Sequence, residues 1–437
     1  MALNFCRYNR TDDSLHITPH SAKWDFPTMK IEDKHQHLSA LLDSHRSYRQ
    51  NCLNLIASEN VPSPFVESYL VEELDQRYGN YTGIDLTERF YQGNKFIAEI
   101  ESYAHQLAKD LFGANFVDLR PLSGNIAGIA TTFALCRPGD TVLEVDNGHR
   151  YANKLASSGL KVDLSSVSIP WDDARSNIDL PATIELIKEH RPRVVNIGSG
   201  IFLFPQPISE LKQAMMEVNP DSYLVYDAAH VLGLIAGGKF QSPLKENADV
   251  IISSTHKTLA GPQGGIVLTN DRSIAERIGP AIAPLLESNH HLGRLPALAA
   301  TFMEWQEFGH QHATSIVKNA KALGQSLADR GVPLVGSNLG YTESHTLILI
   351  VGKFGLAKVV ADQLEACHII TGAVGADWLR IGVQEVTRGG MDEADAPFVA
   401  DCIVDALKGD NPETVKQRVI DLVKRIDQIR FTITPES

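Results

Sequence analysis

The sequence predicts an α/β fold, with a mostly parallel sheet in a large domain and a smaller α+β unit after it. Three observations carry this. Short apolar runs recur between residues 141 and 270 and read as buried strands: "TVLEVD", "PRVVNIG", "SYLVYD", "DVIISS" and "GIVLTN". The stretches "GNIAGIATTFAL", "LPATIELIKEHR" and "SELKQAMMEV" read as helices between some of them, and such alternation is the pattern of a parallel sheet covered on both faces. At 437 residues the chain is too long for one small core and suits a large domain plus a smaller one.

The elements follow in order. Residues 1 to about 45 are polar and His-rich without a clear period, so residues 1–50 read as an N-terminal arm that packs on the body or on a partner subunit. "NKFIAEIESYAHQLAKDLFGA" repeats apolar residues at helical spacing through Ile97, Ile100, Ala104, Leu107 and Leu111. The strand–helix alternation then fills a large domain over residues 51–300. A long helical stretch, "ATSIVKNAKALGQSLADRG", opens a C-terminal domain over residues 301–437. In it "HTLILIV" and "WLRIGV" read as strands, and "LAKVVADQLEAC" and "ADAPFVADCIVDALK" as helices. There is no internal repeat.

Composition removes several function classes. The formal net charge of -13 argues against nucleic acid or anionic lipid as the main partner. No apolar run approaches the roughly 18 residues that span a bilayer, and the first residues have no apolar core of a secretory signal. Cys6, Cys52, Cys136, Cys367 and Cys402 are scattered and form no CxxC pair, which points to reduced thiols, no metal knuckle and a cytoplasmic setting.

In open α/β sheets ligands bind beyond the carboxyl ends of the strands. The residues there are Asp227 and His230 after "SYLVY", His256 and Lys257 after "ADVII", and His149 after "TVLEVD". Ser123, Gly124 and Asn125 follow "FVDLR" and open a helix. Taken singly, each has an ordinary reading: a cap, a bonded core histidine, a solvated lysine head. Together they match the needs of pyridoxal 5'-phosphate. Lys257 would form the Schiff base with the cofactor aldehyde. Asp227 would keep the pyridine nitrogen protonated. The Ser123–Asn125 helix start would hold the phosphate, and His149 would stack on the ring.

The motifs "LNLIASENVPSP", "RFYQGNKFIAEIE", "LSGNIAG", "YDAAHVLGLIAGG", "STHKTLAGPQGGIVLTN" and "LRIGVQEVTRGGM" resemble the serine hydroxymethyltransferase family. The resemblance is clear from about Leu53 to Asn270 and continues in order to about Lys408. "FLFPQP" and "ESNHHLG" look closer to archaeal-type members and to a related group that moves glycine units onto aldehydes. The resemblance implies the fold-type I, aspartate aminotransferase-like architecture of pyridoxal-phosphate transferases. It implies that Lys257, Asp227 and His149 have the roles above, with His256 beside them. His230 would lie near the cofactor oxygen and the substrate. Arg380 and Ser58 would hold the substrate carboxylate. Tyr78, Tyr91 and the backbone near Ser288 would be lent to a neighbouring subunit, so a homodimer with shared active sites is implied.

The pattern also breaks. Where the family has Tyr-Ala-Glu-Gly, Tyr78 is followed by Gly79 and Asn80. The stretch is longer by about three residues, so Tyr81 is an alternative for the tyrosine, with Gly83 at the glutamate. Neither register has the carboxylate, and Asn cannot exchange a proton near neutral pH. Asp85 or Glu88 would have to replace it. Only "GAD" separates "CHIITGAV" from "WLRIGV", where the family has a longer loop that helps hold tetrahydrofolate. Gly200 stands where a serine is usual. The expectation is a folate-independent enzyme that makes or breaks the Cα–Cβ bond of β-hydroxy amino acids, an aldolase or transaldolase acting on amino acids and aldehydes. The alternatives are a serine hydroxymethyltransferase using tetrahydrofolate, and a decarboxylase, β-eliminase or aminotransferase with the same cofactor. A subunit without activity is a further alternative, against which Lys257, Asp227 and Arg380 argue.

Overall fold

The structure, a computed structural model, describes residues 30–70, 73–146, 148–159 and 162–434. Residues 1–29 of the arm, Cys6 among them, lie outside the described residues.

Seven strands form the large sheet: β1 Phe116–Asp118, β2 Thr141–Val145, β3 Ser165–Ile169, β4 Val194–Ile197, β5 Tyr223–Asp227, β6 Val250–Ser254 and β7 Gly265–Thr269. Their order is β1-β7-β6-β5-β4-β2-β3. Strands β3, β2, β4, β5 and β6 run parallel, while β7 lies antiparallel to both β6 and β1. Every residue of β4, β6 and β7 is buried, which is why these strands read as unbroken apolar runs. Burying one such side chain, Ile252 or Leu268, contributes at most about 1.5–3 kcal/mol. Edge strand β3 buries only Ile169 and carries three serines, so its sequence gave no apolar run to find.

Helix α1 Ile31–Gln50 corrects the reading of an arm without period up to about residue 45. Its apolar residues Ile31, Leu38, Leu41 and Leu42 are few and all exposed, and no residue of the helix is buried, so the stripe is thin. Helices α2 Lys95–Phe112 and α3 Gly124–Leu135 belong to the large unit, as does the short helix α4 Tyr151–Ser157. Helix α5 Arg294–Asp329 runs 36 residues through position 300. It packs on α2 in the large unit and on α6 Ala396–Lys408 in the smaller one. Among the described residues no helix is long and apolar enough to cross a membrane.

The smaller unit holds an antiparallel sheet of β8 Thr346–Ile350, β9 Gly372–Val374 and β10 Trp378–Gly382, in the order β8-β10-β9. Leu53 and Asn54 pair in parallel with Ile369 and Ile370, and Gly382 donates its N–H to the Leu55 carbonyl at 2.8 Å. The segment after Leu53 is therefore stitched to the small unit, and it carries Ser58 toward the carboxyl ends of the large sheet's strands.

Candidate active site

Lys257 lies in the turn that carries the chain from β6 back into β7. The turn is pinned from inside by Thr255, whose hydroxyl donates to the Pro262 carbonyl at 2.6 Å. It is pinned from outside by Asn60 on the Lys257 carbonyl at 2.9 Å and by Trp305 Nε1 on the Leu259 carbonyl at 2.6 Å. The Lys257 side chain is half-buried, with Nζ 3.2 Å from His230 Nε2. Burial pushes the amine down from 10.5 to about 8; Asp227 opposes this and Arg380 adds to it. A neutral amine is a nucleophile and an ammonium is not. The adjacent His256 is half-buried, its Nδ1 has no partner, and burial followed by the Lys257 charge pushes it down to about 4.

Asp227 closes β5 and is 2% exposed. Its Oδ2 accepts from His149 Nδ1 at 2.6 Å and from the Tyr151 hydroxyl at 2.6 Å. Its Oδ1 accepts from the Ala229 N–H at 2.9 Å. Burial works against its charge, but His149, Tyr151 and Ala229 outweigh it, so the carboxyl sits below the ordinary value. The His149 backbone is fixed by its N–H on the Gly198 carbonyl at 3.0 Å and by Asn196 Nδ2 on its own carbonyl at 2.9 Å. The His149 and His230 rings are near-parallel with centroids 5.9 Å apart, and His230 and His345 are so at 6.1 Å. Burial, then the Lys257 and Arg380 charges, hold His230 well below the ordinary imidazole value, and its Nδ1 has no partner.

Ser123 caps α3, its Oγ accepting from the Ile126 N–H at 3.2 Å. Gly124 and Asn125 are the first helical residues, so unpaired backbone N–H groups point outward there, as an anion requires. The Asn125 side chain is exposed and turns instead to Lys154, whose Nζ donates to it at 2.7 Å.

Arg380 projects from β10, half-buried. Its Nη1 donates to the Gly200 carbonyl at 3.1 Å and its Nε is buried without a partner. Among the described residues no carboxylate pairs with it. A half-buried guanidinium without a counter-ion is a ready site for a carboxylate. Gly200 makes this placement possible: a Cβ there would lie 2.4 Å from Arg380 Nη1 and 3.2 Å from His230 Nε2. Ser58, half-buried, sits in a loop held by His345 Nε2 at 3.0 Å from the Ala57 carbonyl and by Gln384 Nε2 on the Ile56 and Glu59 carbonyls at 2.8 and 2.6 Å.

The remaining residues do not join this cluster within the chain. Tyr78 and Tyr91 meet edge-to-face at 5.5 Å and are 53% and 49% exposed. The Ser288 carbonyl accepts from the Asn80 amide. Tyr81 is 3% exposed, its ring between the Arg89 and Arg120 guanidiniums at 4.8 and 4.4 Å, so it is a structural plug. Asp85 is exposed and caps its own turn, accepting from the Thr87 hydroxyl at 2.7 Å and N–H at 2.9 Å, which lowers its pKa. Glu88 is exposed. Sequence reasoning missed Tyr151 and His345. An aromatic residue two positions after His149 and a histidine just before β8 carry no signal without the fold.

With this geometry in view, the comparisons with known proteins are specific. A family model described as serine hydroxymethyltransferase matches residues 31–403. A serine hydroxymethyltransferase of Methanopyrus kandleri is 38% identical over 416 residues, covering 92% of this chain and 95% of that protein. One from Methanocella arvoryzae is 41% identical over 397 residues, covering 87% and 92%. Among solved structures, an L-threonine transaldolase from Pseudomonas fluorescens in its internal aldimine state is similar, with a TM-score of 0.85 and 28% identity over 92% of this chain and 94% of that one.

Proposed function

This chain belongs to the serine hydroxymethyltransferase family, and from that premise we propose that it makes or breaks the Cα–Cβ bond of β-hydroxy amino acids without folate. It is a pyridoxal-phosphate-dependent enzyme of fold type I, a transferase or aldolase by class. The site fits that cofactor: Asp227 retains one open lone pair on Oδ1, the imidazoles of His230 and His256 keep unpartnered nitrogens, and the α3 start offers free N–H groups.

Bound pyridoxal phosphate supplies an aldehyde carbon and a protonated pyridine ring that draws electrons. Lys257 would provide the nucleophile for that aldehyde. Asp227 would hold the ring N–H, His149, which is bonded to Asp227, would lie over the ring, and Ser123, Gly124 and Asn125 would hold the phosphate through backbone N–H groups. His256 backs Lys257 in the same turn. Arg380 and Ser58 grip the amino-acid carboxylate. His230, kept neutral, accepts the β-hydroxyl proton as the Cα–Cβ bond breaks. L-Threonine would yield glycine and acetaldehyde, and the reverse direction would join glycine to an aldehyde. Tyr78, Tyr91 and the backbone near Ser288 would serve the neighbouring copy in a homodimer, which matches their position away from Lys257. The scattered cysteines support a cytoplasmic setting.

The observation that carries folate independence is Asn80. In the Tyr78 register it stands where the family pattern has glutamate, and its amide is committed to the Ser288 carbonyl. Asp85 is committed to Thr87. The tight turn at Gly375, with φ of +63°, leaves no long loop between β9 and β10. The second reading, a tetrahydrofolate-dependent hydroxymethyltransferase, is favoured by the names of the relatives at 38% and 41% identity. Glycine formation from L-serine with and without tetrahydrofolate separates the two. Folate-independent glycine from L-threonine, with no response of L-serine to folate, is expected. Strong folate dependence with L-serine would overturn the proposal.

A further inference from the structure

Asp227 has about four lone-pair sites on its two oxygens. His149 Nδ1 and the Tyr151 hydroxyl both lie 2.6 Å from Oδ2, which fills that oxygen. The Ala229 N–H takes one site on Oδ1 at 2.9 Å. One site is left. The Tyr151 ring is 2% exposed and packs over α3 at Gly128, where a Cβ would lie 2.2–2.4 Å from its ring carbons. Glycine in a helix interior weakens the helix relative to alanine, so the fold accepts a weaker helix to seat this phenol. The phenol itself is held neutral by burial and by Asp227, so it always donates.

We propose that Tyr151 is a positioning residue that acts on the cofactor through Asp227: by drawing charge onto Oδ2 it weakens the bond from Oδ1 to the ring nitrogen and so sets how firmly that nitrogen keeps its proton. This inference rests on the pyridoxal-phosphate reading of the site. Hydrogen bonds to one carboxylate compete, because each donor withdraws charge that the others would use. A third strong donor on Asp227 leaves the ring N–H a weaker acceptor. Tyr151 thereby moderates the electron-withdrawing power of the ring without touching ring or substrate.

The test is the proton NMR resonance of the ring N–H in the cofactor-loaded enzyme, compared among wild type, Tyr151→Phe, Gly128→Ala and Asp227→Asn. Removing the phenol in Tyr151→Phe strengthens the remaining bond and moves the resonance downfield. Gly128→Ala keeps the phenol but pushes its ring from Asp227, and it moves the resonance the same way. Asp227→Asn abolishes the bonded resonance. A wild-type resonance that Asp227→Asn removes, but that neither Tyr151→Phe nor Gly128→Ala moves, would overturn the Tyr151 inference alone. Failure of the wild-type protein to take up pyridoxal phosphate, read from its absorbance, would overturn the functional reading and this inference with it.

Discussion

The turn that carries Lys257 and the loop from Tyr78 to Tyr91 are built on opposite terms. Around Lys257 the chain supplies its own partners. Asp227 has three donors, the turn is tied to Asn60 and Trp305, and His230 touches Lys257. Around Tyr78 the aromatic rings of Tyr78, Phe90 and Tyr91 face outward, and the buried Asn80 Oδ1 has no partner. The first region finds its hydrogen-bond partners within the chain. The second is a surface whose chemistry depends on what meets it. On the proposed reading, the difference separates bond activation, which one chain's residues would carry, from contacts that would serve a neighbouring copy.

The comparison breaks hardest at Lys257. Lys257→Ala removes the reacting amine, and turnover of a β-hydroxy amino acid falls on the order of 10⁴-fold or more. Steady-state kinetics of the loaded variant checks this; a variant turning over at the wild-type rate would place the chemistry elsewhere. Arg380→Lys comes next. It keeps the charge but loses the planar fork, so KM for the amino acid rises by about 10–100-fold while kcat falls less. An unchanged KM would mean that the unpaired guanidinium has another ligand.

The pH dependence sharpens the same side. Lys257 titrates at about 8 in the fold and at 10.5 when unperturbed. The rate at which the cofactor-free protein takes up pyridoxal phosphate rises about tenfold per unit toward pH 8 and then levels, as the neutral amine becomes dominant. Between about 8 and 10.5 the unfolded chain binds the proton that the native chain has lost, so stability of the cofactor-free protein rises with pH in that window. Lys257→Met removes this slope in denaturant titrations across the window.

The same contrast explains what could be read from sequence. Strands β4, β6 and β7 were legible because both faces are buried and their apolar runs are continuous. Strand β3 was not, because an edge strand satisfies its core with Ile169 alone. Helix α1 was not, because it buries no residue and so carries no apolar stripe to find. Lys257, Asp227, His230 and His149 stood out because strand ends in this architecture converge on one edge. Tyr151 and His345 act across the fold, on Asp227 and on the Ala57 carbonyl, and such contacts leave no spacing in the sequence. The two registers open for Tyr78 and Tyr81 differ in burial: Tyr78 is exposed, while Tyr81 lies buried between two guanidiniums.

The smallest expected effect lies in the outward-facing loop. Asn80→Asp is isosteric, but it turns the donor that meets the Ser288 carbonyl into an acceptor, so a bond becomes a repulsion. The loop is partly solvated and water recovers some of the loss, so the cost is about 1 kcal/mol. Asn80→Ala loses the bond without the repulsion and costs less. Denaturant titration of the two variants ranks them, with Asn80→Asp the less stable. The carboxylate restored in Asn80→Asp is one methylene shorter than the family's glutamate, and the compact turn at Gly375 is unchanged. Glycine formation from L-serine therefore stays unresponsive to tetrahydrofolate in this variant. A folate response gained on this single change would show that the acid alone had been missing, and would move the boundary between the two regions from the whole substrate wall to one side chain.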